Sequence, residues 1–414
     1  MEKYIYDKKD VTDPQDQIPV YIEKFDRMNG YLVVDFSEQE ILQKFIKRYD
    51  LQYANGDKRS MLEISNLNIS NTSHLREGSH YLLPKELLEE GKWMPEPLIN
   101  NDIRDASPIF AYRLNASQIP SITFGKAIRY TGYYKPNYTG VHISIPFLSQ
   151  GISIDDKLKI IVRNVGQGNW NEIYIKDNKK IIYDFGASIR YTQTQLDGLI
   201  RKYKIDKILY DNSVPLMIIS HWDIDHYMML LSLSDSQIKS IGMILCMDKA
   251  ISQTAKNVLS TLQKNLGTRL SIISASERES RRSSLKLHLV GSNKGILLFK
   301  GTQSSSINKS GLVLGLQTKE ACAVLPADHH YSQIEKDVFP HLNKNLTYNM
   351  VVPHHCGNAG RISSTLTHFR KNGAAVISVG KNSYHHPFKI IKNQLSTAFS
   401  IQQTNISGDI TIML

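Results

Sequence analysis

The chain has 414 residues, of which 41% are hydrophobic and 21% charged, and its formal net charge is +11 at pH 7. These proportions are ordinary for a globular protein, and the length suffices for two domains or one large one. No stretch approaches the roughly 18 apolar residues of a membrane span, and the N-terminus lacks the apolar core of a signal peptide, so we expect a cytoplasmic protein without a membrane partner. The three widely spaced cysteines do not indicate a disulfide framework.

The charge is unevenly distributed along the chain. Residues 1–150 contain 18 Lys and Arg against 20 Asp and Glu, whereas residues 151–414 contain 32 against 19, a net charge of +13. A positive field raises the local concentration of anionic substrates such as nucleic acid. The alternative is a basic surface whose only role is to keep the protein soluble, because it would give the same numbers of basic and acidic residues. The charge therefore supports a nucleic-acid substrate without establishing one.

Residues 1–150 are predicted to form a smaller α+β domain of unknown role. Apolar patterns indicate strands at 31–36 and 141–145 and a helix at 38–49. The segment 126–138 interleaves basic and aromatic residues, as surfaces that stack bases do, but we favour a hairpin with tyrosines on one face. This domain could select substrate, recruit a protein partner or restrain an active site, and its residues do not decide among these roles.

Residues 151–414 are predicted to form a second domain, which begins in the polar, linker-like stretch 149–156. Apolar segments then alternate between the strand and helix periods along the chain. The predicted strands are 158–162, 172–175, 180–183 and 241–245, and the predicted helices are 192–204 and 251–266. This alternation indicates sheets covered by helices, the α/β class.

The densest group of candidate metal ligands follows the apolar segment 215–219. His221, Asp223, Asp225 and His226 lie within six positions, and such groups are costly to bury unless a charged partner holds them. Residues two apart point the same way in extended backbone, so we expect His221 and Asp223 to bind one cation and Asp225 with His226 a second. The alternative is a loop that caps a helix beginning near Asp225, since Asp is a favoured N-cap residue.

Three later apolar segments, 321–325, 349–352 and 374–379, are also predicted strands that are followed by potential metal ligands. Strand ends at one edge of a sheet lie close together, so these loops are expected to converge on a single pocket. The potential ligands on the three loops are Asp328, His329, His330, His354, His355, His385 and His386. Of these, we interpret His329, His330 and His385 as structural residues.

These motifs resemble those of the metallo-β-lactamase superfamily, and within it the hydrolase domain of ComEC-type competence proteins and their stand-alone relatives. The resemblance covers residues 158 to about 395. Asn164-Val165-Gly166-Gln167-Gly168-Asn169 is similar to the family's opening Asp-Val-Gly-Gln-Gly-Asp, and Asp184-Phe185-Gly186 to its Asp-x-Gly turn. The segments that match later motifs are 221–226 for the metal loop, 308–314 for Asn-x-Ser, 327–328 for Gly-Asp, 353–355 for Pro-His-His and 382–387 for Asn-x-Tyr-Gly-His-Pro.

The resemblance implies an αβ/βα sandwich with a two-metal site at one edge. The implied cofactors are two divalent ions, Zn²⁺ or Mn²⁺, since a carboxylate at 223 makes the site harder than an all-imidazole one. Asp328 would bridge the ions, one member of the pair His354 and His355 would bind metal, and His386 with the other member would stabilise the substrate oxyanion or protonate the leaving group. The sequence does not decide which member of the pair binds metal. The expected metal ligands are His221, Asp223, Asp225, His226, Asp328 and His354, and the expected catalytic residues are Asp225, His355 and His386.

The chain departs from the family pattern at four positions. Asn164 and Asn169 replace carboxylates at both ends of the opening motif. This change could weaken a contact that supports a metal-binding residue, but it removes none of the metal ligands that the resemblance implies. Cys356 stands before the glycine that follows the histidine pair, and His385 replaces the usual glycine. Cys356 could be an oxidation-sensitive thiol or an extra ligand, but we favour a small packed side chain.

The expected reaction is hydrolysis of a phosphodiester in DNA or RNA by a hydroxide that bridges two metals. One alternative is a hydrolase of a small phosphoester, cyclic nucleotide, lactone or lactam, since one fold hosts many reactions. Another is a non-catalytic module that retains metal for binding or sensing. A basic cluster between the metal motifs would flank an anionic substrate, although a solvated loop explains it equally well: Arg278, Arg281, Arg282, Lys286, Lys294 and Lys300.

Overall fold

The structure is a computed structural model of the full chain. The residues that it describes are 17–26, 30–37, 39–48, 61–67, 75, 77–84, 87, 92–93, 112–116, 157–175, 180–210, 214, 216–276, 284–293, 295–304, 307–362, 365–382 and 385–414. The predicted strand at 141–145, the segment 126–138, the linker 149–156 and four members of the basic cluster, Arg278, Arg281, Arg282 and Lys294, lie outside these residues.

The chain divides into two compact units, one built from Met1–Tyr134 with the segments Arg190–Gln195 and Ala250–Ser260, the other from the rest. The first unit contains a six-stranded sheet of order β4-β1-β2-β3-β6-β5 and the helix Gln39–Arg48. Its strands are β1 Gln17–Asp26, β2 Tyr31–Phe36, β3 Met61–Ser65, β4 His80–Pro84, β5 Lys92–Trp93 and β6 Tyr112–Asn115.

The strand predicted at 31–36 and the helix predicted at 38–49 are confirmed in this unit. β2 has the predicted bounds, and the helix Gln39–Arg48 lies within the predicted range. Apolar side chains of both elements meet in one core, where the rings of Phe36 and Phe45 lie 4.7 Å apart between centroids. The helix therefore covers one face of the sheet, as its apolar spacing requires.

The second unit contains two seven-stranded sheets, of order β12-β11-β10-β9-β8-β7-β20 and β13-β14-β15-β16-β17-β18-β19. The first of these sheets comprises β7 Lys159–Val162, β8 Trp170–Tyr174, β9 Lys180–Phe185, β10 Leu216–Ile219, β11 Ile244–Met247, β12 Leu270–Ile273 and β20 Ile410–Met413. The second comprises β13 Leu287–Asn293, β14 Ile296–Gly301, β15 Leu312–Gln317, β16 Ala321–Leu325, β17 Thr347–Val351, β18 Lys371–Ile377 and β19 Ser400–Gln403.

Helices connect successive strands in the second half of the chain. They span Gln193–Lys202, Ile205–Tyr210, Ile224–Tyr227, Asp235–Lys239, Gln253–Leu266, Tyr331–Gln333, Lys389–Ser396 and Thr404–Ser407. The predicted α/β class is confirmed by this arrangement of helices and mixed sheets. In the part of the chain that the structure describes, no helix combines the length and the apolar character needed to cross a bilayer.

The parallel strands set the position of the candidate site. β9, β10, β11 and β12 run parallel in one sheet, and β16, β17, β18 and β19 run parallel in the other. Parallel strands bring their carboxyl ends to one edge of a sheet. The two edges meet where the N–H of Leu312 donates to the carbonyl of Ser220 at 2.9 Å and the hydroxyl of Tyr183 donates to the carbonyl of Leu312 at 2.8 Å.

Candidate metal centre

Several strand ends at the site have left-handed backbone that L-amino acids rarely adopt. Asp184 has φ 57°, Ala327 φ 50°, and three consecutive residues, His354, His355 and Cys356, have φ between 50° and 63°. Each such residue costs of order 1–3 kcal/mol and persists only where its surroundings determine it. Here the N–H of His354 donates to the carbonyl of Ala327 at 3.1 Å, which ties two of these turns together.

His226 is fully buried, and its two ring nitrogens face different carboxylates. Nδ1 lies 2.8 Å from Oδ2 of Asp184, and Nε2 lies 3.2 Å from Oδ1 of Asp328. Asp184 accepts hydrogen bonds from the backbone N–H and the hydroxyl of Ser220, at 2.7 and 3.0 Å. Because Asp184 is held in this way, it orients the imidazole so that Nε2 points at Asp328.

His355 is oriented by the backbone of the neighbouring strand. Its Nδ1 lies 2.6 Å from the carbonyl oxygen of Ser378, and because a carbonyl only accepts, Nδ1 carries the proton. Its buried Nε2 lies 3.2 Å from Oδ2 of Asp225 and takes part in no hydrogen bond within the described residues. In the neutral ring a nitrogen lone pair therefore faces a carboxylate oxygen, an arrangement that a cation between them would stabilise.

His221 completes the buried cluster. Its Nε2 lies 3.6 Å from Oδ2 of Asp223 and 3.9 Å from Oδ2 of Asp328, while its Nδ1 lies 2.9 Å from the hydroxyl of Ser220. Asp223 stands at the N-cap of the helix Ile224–Tyr227, but its side chain makes no capping hydrogen bond. The alternative of a loop that serves only as a helix cap is therefore not supported.

The side chains fit a divalent cation at two overlapping positions. His221, His226 and Asp328 offer ligand atoms that all lie within 4.8 Å of one another, and Asp225, His226 and His355 do the same. All five residues are buried. Buried carboxylates and imidazoles at these distances are stable when a metal or a shared proton compensates the charge. Since a single imidazole nitrogen binds one cation, His226 can be a ligand at only one of the two positions at a time.

The pKa shifts show how strongly these groups interact. Burial alone lowers the pKa of His226, but the carboxylates of Asp184 and Asp328 outweigh burial and hold it well above its ordinary value. Burial likewise raises the pKa of Asp328, yet the imidazoles of His354 and His226 hold it well below its ordinary range. Each group thus stabilises the charged form of its neighbour. A bound cation would satisfy the same carboxylate without a protonated imidazole.

His354 and His386 lie at the partly exposed side of the cluster. Nδ1 of His354 is 2.6 Å from Oδ2 of Asp328, and the two imidazole rings are 5.4 Å apart between centroids. Nδ1 of His386 lies 3.2 Å from Nε2 of Gln167. A Cβ at Gly357 would lie 2.5 Å from Nε2 of His386 and 2.6 Å from Cδ2 of His354, so only glycine lets the rings approach here.

The structure brings most of the predicted site residues together. His221, Asp225, His226, Asp328 and His355 fall in the two mutually close groups. Asp223 adjoins His221 but belongs to neither group, and His354 contacts Asp328 from outside them. The ring of His386 contacts that of His354.

Three positioning residues were not singled out from the sequence. Asp184 orients His226, Gln167 contacts His386, and Asn308 donates its side-chain N–H to Oδ2 of Asp328 at 3.2 Å. All three belong to segments that match family motifs, which was the available signal. Asn169, where the family pattern has Asp, approaches the His226 ring at 3.4 Å through its side-chain nitrogen, and its backbone N–H donates to the Asp225 carbonyl at 2.9 Å.

The neighbouring cysteine and histidines are packed groups. Cys356 is buried within the apolar core, and burial raises the pKa of its thiol to about 12, so it stays protonated at neutral pH. Burial lowers the pKa of His329 to about 4 and that of His330 to about 4, so both are neutral. These values agree with the interpretation of Cys356 as a packed side chain and of His329 and His330 as structural residues.

Comparison with solved structures finds proteins of the metallo-β-lactamase fold. YhfI from Bacillus subtilis is 14% identical over 63% of this chain and 100% of its own, with a TM-score of 0.35. Tm1679, described as a metal-dependent hydrolase of the β-lactamase superfamily, is 13% identical over 62% of this chain and 99% of its own, with a TM-score of 0.36. Zn²⁺-bound PqqB from Methylobacterium extorquens is 8% identical over 68% of this chain and 95% of its own, with a TM-score of 0.32.

These likenesses are too distant to carry a functional conclusion. No protein-family model matches the sequence, and no curated relative matches it. The function of the site is therefore inferred from its own residues and distances.

Proposed function

We propose that this chain is a metal-dependent hydrolase of the metallo-β-lactamase superfamily with a two-metal centre. One position would be held by His221, Asp328 and His226, since Nε2 of His226 is 3.2 Å from Asp328 and 4.0 Å from Asp225, and the other position by Asp225 and His355. The observation that carries the proposal is the orientation of His226 and His355. Each ring engages its Nδ1 with a fixed partner and directs its buried Nε2 at a carboxylate 3.2 Å away.

This assignment favours His355 over His354 as the ligand of the pair. The Nδ1 of His355 already donates to Ser378, which leaves Nε2 as a ligand atom among buried groups. The side chain of His354 is 19% exposed, and its Nδ1 lies 2.6 Å from Oδ2 of Asp328. His354 is thus suited to orient Asp328 and to meet the substrate.

Divalent cations held by these residues would supply Lewis acidity, which polarises an ester and lowers the pKa of water toward neutrality. The protein contributes the remaining groups. His386 stands at the partly exposed side of the cluster, where it can donate a proton to a leaving oxygen or stabilise negative charge on the substrate. Gln167 and the ring of His354 hold His386 in this position.

The proposed substrate is a phosphodiester of DNA or RNA. Two features support this choice over other esters. The motifs of residues 164–169 and 221–226 resemble those of ComEC-type hydrolases, and residues 151–414 have a net charge of +13. A positive field beside the site would concentrate a polyanion. Zn²⁺ and Mn²⁺ are the proposed ions, since the ligand set combines imidazole with carboxylate.

The test is to measure bound metal and then cleavage of plasmid, single-stranded DNA, RNA and a generic phosphodiester. Wild type is compared with Asp225→Ala and with Asp235→Ala, which removes a carboxylate whose side chain is 54% exposed. We expect Asp225→Ala to lose metal and cleavage and Asp235→Ala to retain both. Equal activity of wild type and Asp225→Ala would refute the hydrolase proposal. Turnover of small esters alone would refute the nuclease, and bound metal without turnover would favour a binding module.

A further inference from the structure

The partly exposed side of the cluster belongs to a stretch of the chain without acidic residues. Residues 338–408 contain seven Lys and Arg and no Asp or Glu, so all 39 acidic residues of the chain lie elsewhere. This stretch carries His354, His355 and His386 of the candidate site. The carboxylates of the cluster come from earlier segments and are at most 4% exposed. Positive charge around the histidines is therefore not offset by carboxylates of the same stretch, which favours approach of a polyanion.

The helix Lys389–Ser396 begins beside these histidines. The ring of Phe388, the residue before the helix, lies 5.1 Å from the ring of His386 between centroids. The backbone N–H of Phe388 donates to the carbonyl of Cys356 at 2.9 Å, which joins the start of the helix to the turn that contains His354. The helix is thus fixed next to both of the partly exposed histidines.

Two lysines of this helix incline toward the site. Cα–Cβ bonds in a helix tilt toward its N-terminus, so the side chains of Lys389 and Lys392 incline toward Phe388. Lys389 is exposed and Lys392 is half-buried. Burial raises the pKa of the Cys356 thiol to about 12, and the charge of Lys392 acts in the opposite direction. Such an effect requires the ammonium to lie near the thiol.

The positive charges of this surface are available to a ligand. Arg361, in the loop after the histidine-containing turn, is exposed like Lys389. In the described part of the chain neither of them nor Lys392 forms an ion pair or a side-chain hydrogen bond. The exposed Lys264, by contrast, lies 3.5 Å from Asp235. A cation without a carboxylate neighbour keeps its full attraction for an anion.

An apolar side chain lies among these cations. Ile390, next to Lys389 in the first turn of the helix, is 74% exposed, the largest exposed fraction of any large apolar side chain in the described ranges. Such a side chain can cover part of an unpaired base, whereas the bases of a duplex are already stacked on each other. Ile390 therefore favours a single strand over a duplex as the ligand of this surface.

We propose that Arg361, Lys389, Ile390 and Lys392 form a surface that binds a single-stranded nucleic acid next to the scissile phosphodiester. The proposal rests on the hydrolase function proposed above and assigns the place where the substrate strand continues beyond the metal centre. The three cations contact neighbouring phosphates, and Ile390 contacts an unpaired base. A diester with a single phosphate lacks these neighbours, so the enzyme should prefer a strand to a small diester.

The first test measures binding of a fluorescent single-stranded oligonucleotide by anisotropy at several salt concentrations. The full chain carries Asp225→Ala, so that the strand is not cleaved. Adding Lys389→Gln with Lys392→Gln should weaken the affinity about 10-fold and reduce the slope of log affinity against log salt by about 1.4, since each phosphate contact on a single strand contributes about 0.7. A purely structural role of the two lysines would leave the slope unchanged.

The matched control removes two charges from the opposite end of β18. Arg370→Gln with Lys371→Gln changes two exposed residues of the same acid-free stretch. Lys371 is the first residue of β18, whereas the candidate site lies at the carboxyl ends of the parallel strands. This control should retain both the affinity and the salt slope.

Two further sets of variants test the base contact and protect against misfolding. Ile390→Ser should weaken binding of the single strand about 5-fold, as loss of an apolar contact of roughly 1 kcal/mol does, and leave the salt slope and the binding of a duplex unchanged. If Lys389→Gln with Lys392→Gln does not fold, the exposed single changes Arg361→Glu and Lys389→Glu must each lower the affinity and the slope.

The second test compares KM for the single strand with KM for bis(p-nitrophenyl) phosphate in the metal-loaded chain with Asp225 intact. Lys389→Gln with Lys392→Gln should raise KM for the strand about 10-fold more than KM for the small diester. An equal rise in both would contradict contacts beyond the scissile phosphate.

The outcomes separate the two proposals. Affinity and salt slope in the lysine variant equal to those in the Arg370 and Lys371 control, with metal bound and hydrolysis dependent on Asp225, would overturn the binding surface alone. A duplex that binds as tightly as the single strand and loses as much affinity with Ile390→Ser would overturn the choice of a single strand. Failure of wild type to bind metal, or full activity of Asp225→Ala, would instead overturn the hydrolase function.

Discussion

At the scale of single residues, the geometry of the candidate site depends on the groups that orient the imidazoles as much as on the candidate ligands themselves. His226 and His355 each have one nitrogen engaged, by Asp184 and by the carbonyl of Ser378, so that the other nitrogen is fixed toward a carboxylate. Such outer contacts set the tautomer and the direction of an imidazole ligand. Asp184 is the clearest case, because both of its oxygens are used at once.

The substitution Asp184→Asn tests this dependence. An amide offers one oxygen acceptor, so it cannot accept from both the Ser220 N–H and His226 Nδ1 without turning its NH₂ toward a donor. We expect metal affinity to fall roughly 10–100-fold, the usual cost of losing such a contact. The measurement is a titration against a competing chelator, with Asp235→Asn as the exposed control. An unchanged affinity in Asp184→Asn would contradict the orienting role.

The sequence predicted which side chains come together in the buried cluster better than it predicted the geometry of the cluster. His221, Asp225, His226 and Asp328 were predicted because imidazoles and carboxylates at strand ends are rare without a cation. The choice within the pair His354 and His355 could not be made from the sequence. It depends on consecutive residues with positive φ, which turn adjacent side chains in directions that no periodic pattern describes.

At the scale of elements, strands with uniform apolar character were predicted closely. β9 begins at the predicted residue, β16 has the predicted bounds, and the helix Gln253–Leu266 ends where expected. β11 begins three residues later than predicted. Pairings that join distant segments, such as β20 with β7, were not predicted, because local periodicity contains no information about partners far along the chain.

A pair of glycine substitutions tests how tightly the elements around the site approach. A Cβ at Gly186 would overlap the carbonyl of Asp225, so Gly186→Ala must push the end of β9 away from the helix Ile224–Tyr227. We expect loss of stability and of bound metal. Gly198, within the helix Gln193–Lys202, has open space around it, and Gly198→Ala should stabilise the protein by about 1 kcal/mol. Chemical denaturation and metal analysis compare the two; equal effects would refute the close approach.

A buried ion network connects the strands that carry the opening motif. Glu172 on β8 lies 2.8 Å from Arg163 and 3.0 Å from Lys180, and Arg163 also pairs with Asp409 at 2.9 Å. Burial raises the pKa of Glu172, but Arg163 and Lys180 outweigh burial and lower it below its ordinary value of 4.5. A lowered carboxyl pKa means that the stabilisation is present above pH 4.5 and is lost as the pH falls through the lower, folded-state value.

Glu172→Gln should therefore destabilise the protein most at neutral pH. Removing one partner of a buried pair typically costs roughly 3–5 kcal/mol. We expect a difference of this size between wild type and variant at pH 7, which shrinks below pH 4.5 as wild-type Glu172 is protonated. Urea denaturation across this range measures it, with the exposed Glu320→Gln as control. A difference that does not change with pH would show that Glu172 acts through packing alone.

At the scale of the whole molecule, the basic excess and the candidate metal ligands occupy the same part of the sequence. Residues 151–414 carry the net charge of +13 and all of the candidate ligands, whereas residues 1–150 have 18 basic against 20 acidic residues. Charge count is readable from sequence alone, but its arrangement on the surface is not. If nucleic acid is the substrate, the positive half should bind phosphates before and apart from the chemistry at His221, Asp225 and Asp328.

The full chain with Asp225→Ala should bind a single-stranded oligonucleotide with strong salt dependence. Binding that releases counterions from even a few phosphates weakens at least about 10-fold between roughly 50 and 200 mM salt. Fluorescence anisotropy measures the affinity, and a peptide nucleic acid of the same base sequence, which lacks phosphates, is the control. We expect no comparable binding of the control. Affinity that is independent of salt, or equal for both oligomers, would mean that the positive charge of residues 151–414 does not serve nucleic-acid recognition and would favour a small-ester substrate.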